Sequence, residues 1–143
     1  MATTILYTPE VLGLAIELAR YPLTQDLPLR GEARSTSCGS TIALGLATAA
    51  DGTVERVGIR SQACAIGQAS AAIFAAGVVG AQPARIAQTR ARVAAWLAGD
   101  GALPDWPGFA TIAAARDYPA RHGAVMLPWN AAAQALAQSD DAP

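Results

Sequence analysis

The clearest pattern in the chain is an alternation of apolar and small or polar positions that stops abruptly at a cysteine. Ile42, Leu44 and Leu46 alternate with small residues, and Val57 and Ile59 alternate with Arg56, Gly58 and Arg60. A period of two marks strands with one face turned to a core. Between the two runs lies Ala50-Asp51-Gly52-Thr53, and Asp-Gly is a preferred pair for a two-residue type I′ hairpin turn. The pattern therefore predicts a β-hairpin between Thr41 and Arg60, and a weaker run near Leu29–Ser35 predicts one more strand.

From Cys64 onward the period changes. Ala65, Ile66, Ala69, Ile73, Phe74 and Val78 recur at helical spacing up to Gly80. Pro83 then opens a second helix whose Ile86, Val93, Trp96 and Leu97 line one face, and Gly99 ends it. Near the start of the chain, Thr8 followed by Pro9 and Glu10 reads as an N-cap, a proline at the first helical position and an acid at the positive end of the dipole. That helix is expected to reach about Arg20, where Pro22 stops it. Residues 99–108 are a loop punctuated by glycine and proline. A short segment, Phe109–Arg116, precedes Tyr118-Pro119, and a last helix is predicted from about Pro128 to about Ala137. The expected architecture is α+β: a three-stranded antiparallel sheet with helices packed mainly on one face. Residues 1–138 form one domain in this reading, and 139–143 form a polar, frayed tail.

Composition narrows the chemistry. With 143 residues, 52% hydrophobic and 15% charged, the chain has material for one core and little for a second. The formal charge is −1 and the pI about 5.7, so no basic field exists to neutralise phosphates, and nucleic acid is not an expected partner. Every basic residue is arginine. The lack of lysine removes the Walker lysine, the Schiff base and the amine nucleophile. His122 is the single histidine, and neither a Gly-x-Ser-x-Gly elbow nor a Gly-x-Gly-x-x-Gly run occurs. Residues 61–84 carry no formal charge, but Ser61, Gln62, Gln68, Ser70 and Gln82 together with many Ala and Gly suit a buried helix with a small-residue surface better than a membrane span. No basic leader precedes the first helix, and the expected compartment is the cytoplasm.

Folding the hairpin at Asp51-Gly52 has a chemical consequence. Extending the ladder from an Ala50–Thr53 pair to its open end brings Cys38 and Cys64 within about one residue of facing each other. Cys64 also stands where strand gives way to helix, so free N–H groups and the dipole favour its thiolate. Such a thiol suits a metal ligand or a sulfur-accepting nucleophile. Two buried structural thiols or an adventitious disulfide fit the residue types alone better, because closed zinc or iron–sulfur sites usually need four ligands.

At these residues the chain resembles the U-type iron–sulfur cluster assembly scaffolds, the SufU, IscU and NifU N-terminal types. Thr36-Ser37-Cys38-Gly39-Ser40 looks like the family's Cys-Gly-Asp segment, and Ala63-Cys64-Ala65-Ile66-Gly67-Gln68-Ala69-Ser70 looks like the helix start that carries its second cysteine. Tyr118-Pro119-Ala120-Arg121, running on to Leu127-Pro128-Trp129, is similar to the aromatic-Pro-x-Arg stretch leading to the third cysteine in the SufU-like branch. Leu6-Tyr7 and the first helix also fit. The resemblance spans roughly residues 5–137 and implies the SufE/NifU (IscU-like) fold. It implies three cysteines and an aspartate around a metal or nascent cluster. Here Ser40 stands at the aspartate position and Ala124 at that of the third cysteine, so Cys38 and Cys64 carry over as ligands and Arg121 as the basic residue near the site. His122 is a candidate substitute ligand if residues 119–124 form an open turn, and Asp117 a weaker one.

Three functions follow from the resemblance. In the first, the chain is a non-enzymatic scaffold that takes persulfide sulfur from a cysteine desulfurase on Cys64 or Cys38, gathers iron at the paired thiolates and hands a transient iron–sulfur cluster to accepting proteins, as monomer or homodimer. In the second, it has lost metal chemistry and serves as a docking or regulatory module for the desulfurase. In the third, it is a small zinc protein using Cys38, Cys64 and His122. No membrane is expected to take part in any of them.

Overall fold

A computed structural model of the chain describes residues 6–140. Helix α1 (Pro9–Glu17) continues as a 3-10 turn over Leu18–Arg20. Strands β1 (Leu29–Arg34), β2 (Thr41–Thr48) and β3 (Val54–Gln62) follow, and then helices α2 (Ala65–Val78) and α3 (Pro83–Leu97). Two 3-10 segments, Phe109–Asp117 and Pro119–Arg121, lead into the last helix, α4 (His122–Asp140). The start of α1 is built as its sequence predicts, with Pro9 in the first turn and the Thr8 hydroxyl accepting a hydrogen bond from the Val11 N–H at 3.1 Å.

The three strands form an antiparallel sheet in the order β1-β2-β3. Gly31, Leu44 and Ile59 lie in one cross-strand row, and Arg30, Gly45 and Gly58 in the next. Pleating turns these two rows to opposite faces. On the face of Gly31 lies α4, so close that a Cβ on Gly31 would collide with the Ala131 carbonyl. On the other face, a Cβ on Gly45 or Gly58 would meet Leu23, Leu27 or Pro22. The segment after α1 therefore crosses the sheet there, and the helices hold one side. Ser70 on α2 donates to the Val125 carbonyl of α4 at 2.7 Å, and Ile42, Leu44, Leu46 and Ile59 share one buried cluster with α2 and α4.

The hairpin forms where the alternation predicts it, but its turn differs. Among the described residues no non-glycine has positive φ, so Asp51 does not adopt the left-handed conformation that a type I′ turn needs at both central positions. Instead the Ala49 N–H donates to Thr53 O at 2.8 Å and the Gly52 N–H donates to Ala49 O at 2.9 Å, with φ +89° at Gly52. The loop thus holds three residues, Ala50–Gly52, and Asp51 accepts from the Thr53 N–H at 3.0 Å. Farther along, Thr48 pairs with Val54 but Ala47 with Arg56, which leaves Glu55 as a bulge. The bulge offsets the longer turn, so from Ala47–Arg56 to Thr41–Gln62 the register is the one expected.

The last helix is longer than the sequence pattern suggests. It begins at His122 and carries Pro128 inside it. Proline lacks the N–H that would bond four residues back, so the Ala124 carbonyl loses its intrahelical donor, while packing of Val125, Leu127 and Trp129 in the core holds the helix through that gap. At its far end the helix runs through Ser139 to Asp140 in place of the expected tail, whose last residues, 141–143, lie outside the described residues. No helix among the described residues is long and apolar enough to cross a membrane.

Candidate functional site at the open end of the sheet

The ladders end on one row, Arg34–Thr41–Gln62. Just beyond it the Ser35 N–H donates to Ser40 O at 2.8 Å and the Gly39 N–H to Ser35 O at 2.9 Å. Residues 35–40 are therefore the tight turn joining β1 to β2, with Gly39 at φ +72°. Extrapolating the β2–β3 ladder through Cys38 does not hold, since the chain has already turned. Cys38 instead reaches the site by folding back over its own turn. Cys64 arrives from the other side as the residue capping α2, with extended backbone and a sulfur that makes no capping hydrogen bond.

The hydroxyl of Ser40 joins the two cysteines. Its Oγ lies 3.1 Å from Cys38 Sγ and accepts the Cys64 N–H at 3.2 Å. Ser35 Oγ lies 3.3 Å from the same sulfur. Both serines are buried, and both cysteines are half-buried and free. A thiol has one proton to give, whereas a thiolate accepts from both hydroxyls. Accordingly the Ser35 and Ser40 hydroxyls, with a smaller contribution from the Arg121 guanidinium, lower Cys38 from 9.0 to about 7 against the opposing effect of burial. Arg121 is kept charged chiefly by the Tyr7 hydroxyl, which its Nε contacts at 3.0 Å, and also by the fields of Cys64 and Cys38.

The 3-10 turn Pro119–Arg121 and the start of helix α4 close the site. Ser37 Oγ donates to the Ala120 carbonyl at 3.1 Å, and a Cβ on Gly123 would come within 2.5 Å of Ser35 Oγ. Ala124 is fully buried and faces Gly67 at the start of α2, so the position matched to a third cysteine is a methyl group packed between helices. His122 points elsewhere, its Nε2 bonded to the Arg116 carbonyl at 2.7 Å. Asp117 is exposed at the end of its 3-10 segment. Among the described residues no group of three or more His, Cys, Asp or Glu side chains is placed to hold a metal ion. The structure brings together Cys38, Cys64 and Arg121, and it does not bring His122 into a ligand set with them. Ser35, Ser37, Tyr7 and the hydroxyl role of Ser40 were not foreseen as site features. The signal for the serines was the serine-rich run around Cys38. A surface hollow of about 660 Å³, lined by Glu32, Arg34, Ala43, Arg60 and Gln134 among others, includes neither cysteine.

No family model and no curated protein sequence matches the chain. Solved structures do. The N-terminal part of a nitrogen-fixing NifU-like protein from Brucella abortus superposes with a TM-score of 0.86 at 28% identity, covering 96% of each chain. The chain shares the fold of that NifU-like N-terminal structure. A structure described as an iron–sulfur cluster assembly scaffold for the SUF system, from Fervidobacterium islandicum, shares the fold with a TM-score of 0.82 at 18% identity, over 92% of this chain and 96% of that one. A protein of unassigned function matches at a TM-score of 0.72 and 18% identity, over 89% and 96%. In this fold the two thiols and Arg121 lie together at the open end of the sheet.

Proposed function

We propose that the chain is an iron–sulfur cluster assembly scaffold whose sulfur-accepting residue is Cys38. The observation that carries this reading is the pair of buried serine hydroxyls and the arginine around one sulfur, which favour the thiolate that attacks a persulfide. The donor is a cysteine desulfurase and the product passes to cluster-accepting proteins. Iron is cargo in this scheme. The chain offers it two thiolates, and the remaining coordination comes from a partner, a second subunit or a small thiol. The test is anaerobic incubation with a desulfurase and cysteine, followed by trapping and peptide mapping of persulfide. Extra sulfur is expected on Cys38 and is lost in Cys38→Ser; wild-type protein with no sulfur on Cys38 would refute the proposal.

A second reading is favoured by Ala124, which fills the third-ligand position with a buried methyl. In it the chain only docks on the desulfurase and modulates it. A Cys38→Ala/Cys64→Ala double variant would then bind and modulate the enzyme like wild type, whereas loss of the effect on sulfur transfer favours the acceptor role.

A further inference from the structure

Two thiols meet at this site, among the described residues no third His, Cys, Asp or Glu joins them as a ligand, and their surroundings differ. Cys38 is surrounded by donors: Ser35 Oγ, Ser40 Oγ and the field of Arg121. Cys64 has its N–H tied to the same Ser40 hydroxyl, but its sulfur caps nothing. Arg121 lies in the field of both sulfurs. One sulfur is thus held among hydroxyl donors, and the other belongs to the residue whose N–H shares the Ser40 hydroxyl with it.

We propose that Cys64 is a resolving thiol that reduces a persulfide on Cys38 and releases hydrogen sulfide, leaving a Cys38–Cys64 disulfide. This rests on the acceptor role of Cys38 given above. In the step, Cys64 Sγ loses its proton and attacks Cys38 Sγ. The bond between Cys38 Sγ and the outer sulfur breaks, and the outer sulfur leaves as hydrosulfide and takes up a proton. The sulfane sulfur gains two electrons, and the two cysteine sulfurs together lose two. One persulfide and one thiol become one disulfide and one hydrogen sulfide, with no external oxidant or reductant. Hydrosulfide is an anion as it departs, and the sulfur it leaves lies 3.3 Å from Ser35 Oγ and 3.1 Å from Ser40 Oγ, with Arg121 near enough for its charge to act on the site. Returning the disulfide to two thiols takes an external dithiol reductant.

The test uses the full chain, reduced, desalted and loaded anaerobically with about one equivalent of glutathione persulfide, then freed of small thiols. Free sulfide and intact mass are followed together. Wild type is expected to release sulfide while its mass falls to that of the dithiol minus two hydrogens, with a Cys38–Cys64 linkage in the non-reduced peptide map. Cys64→Ser is expected to keep the extra sulfur on Cys38 and release sulfide at least ~10-fold more slowly. Its fold is checked by circular dichroism and by an unchanged alkylation rate at Cys38. The inference is overturned if wild type holds the sulfur as long as Cys64→Ser does, if sulfide appears without the disulfide, or if the sulfur migrates intact to Cys64. If Cys38 in wild type takes up no sulfur, the acceptor role itself has failed. Uptake on Cys38 with equal retention in both proteins leaves the acceptor role standing and removes only the resolving step.

Discussion

Cys38 owes its chemistry to neighbours that each do a small thing. Ser40 spends its lone pair on the Cys64 N–H, which leaves its proton free for the Cys38 sulfur. Alkylation of Cys38 should therefore follow a pH midpoint near 7, and Ser40→Ala should move it toward 9.0, the ordinary thiol value, as read from iodoacetamide rates by peptide mass spectrometry. A midpoint unmoved by Ser40→Ala would remove the serine from the account. The same lowering has a thermodynamic sign. Because the folded state holds the thiolate more readily than the unfolded chain, the group adds nothing below about pH 7. Its contribution grows through the interval up to 9 and is complete above it. Urea midpoints of wild type relative to Cys38→Ser should therefore rise with pH across that interval.

At the scale of elements, the site is where three chain segments end together: the β1–β2 turn, the start of α2 and the start of α4. Their closeness is visible at Gly123, where any side chain would press on Ser35 Oγ. Gly123→Ala is expected to lower stability by about 1–3 kcal/mol and to raise the Cys38 alkylation midpoint, because Ser35 must turn away from the sulfur. Loss of stability with an unchanged midpoint would mean that Ser35 does not contribute. The β2–β3 hairpin illustrates how local errors cancel. A three-residue loop in place of two moves every pair by one, and the Glu55 bulge moves them back, so that the sheet face carrying Leu44 and Ile59 still meets the helices. Without that correction the apolar residues would point to solvent.

On the scale of the whole molecule, α4 is the piece that binds sheet to helices. It lies against Gly31 on one side and sends Trp129 into a group of rings on the other, with Phe74 at 5.1 Å and Trp106 at 4.8 Å, both edge-on. The Trp129 Nε1 has no hydrogen-bond partner; these edge-on rings surround its indole, and the burial of so large a side chain offsets the missing bond. Gly31→Ala should cost about 3 kcal/mol, since the atom in the way is a backbone carbonyl that cannot swing aside. Denaturant unfolding measures this, and a change under about 0.5 kcal/mol would mean that α4 does not sit so tightly on β1.

What could be known from the order of residues was what depends on short range. The period-two run fixed both strands of the hairpin, Asp51-Gly52 located its bend, and the switch of period at Cys64 marked where α2 begins, since each of these reflects the chain's own geometry over a few residues. The ladder carried its register as far as the Thr41–Gln62 row and so placed Cys64 at the open end of the sheet, but Cys38 comes to that end through the β1–β2 turn, which the ladder does not describe. Other features depended on segments remote in sequence. Pro128 looked like a helix start until the packing of Val125, Leu127 and Trp129 carried the helix through it. His122 looked available until the Arg116 carbonyl took its Nε2. Serine hydroxyls give no periodic signal, and their effect on Cys38 exists only once the β1–β2 turn, α2 and α4 have closed around them and excluded water.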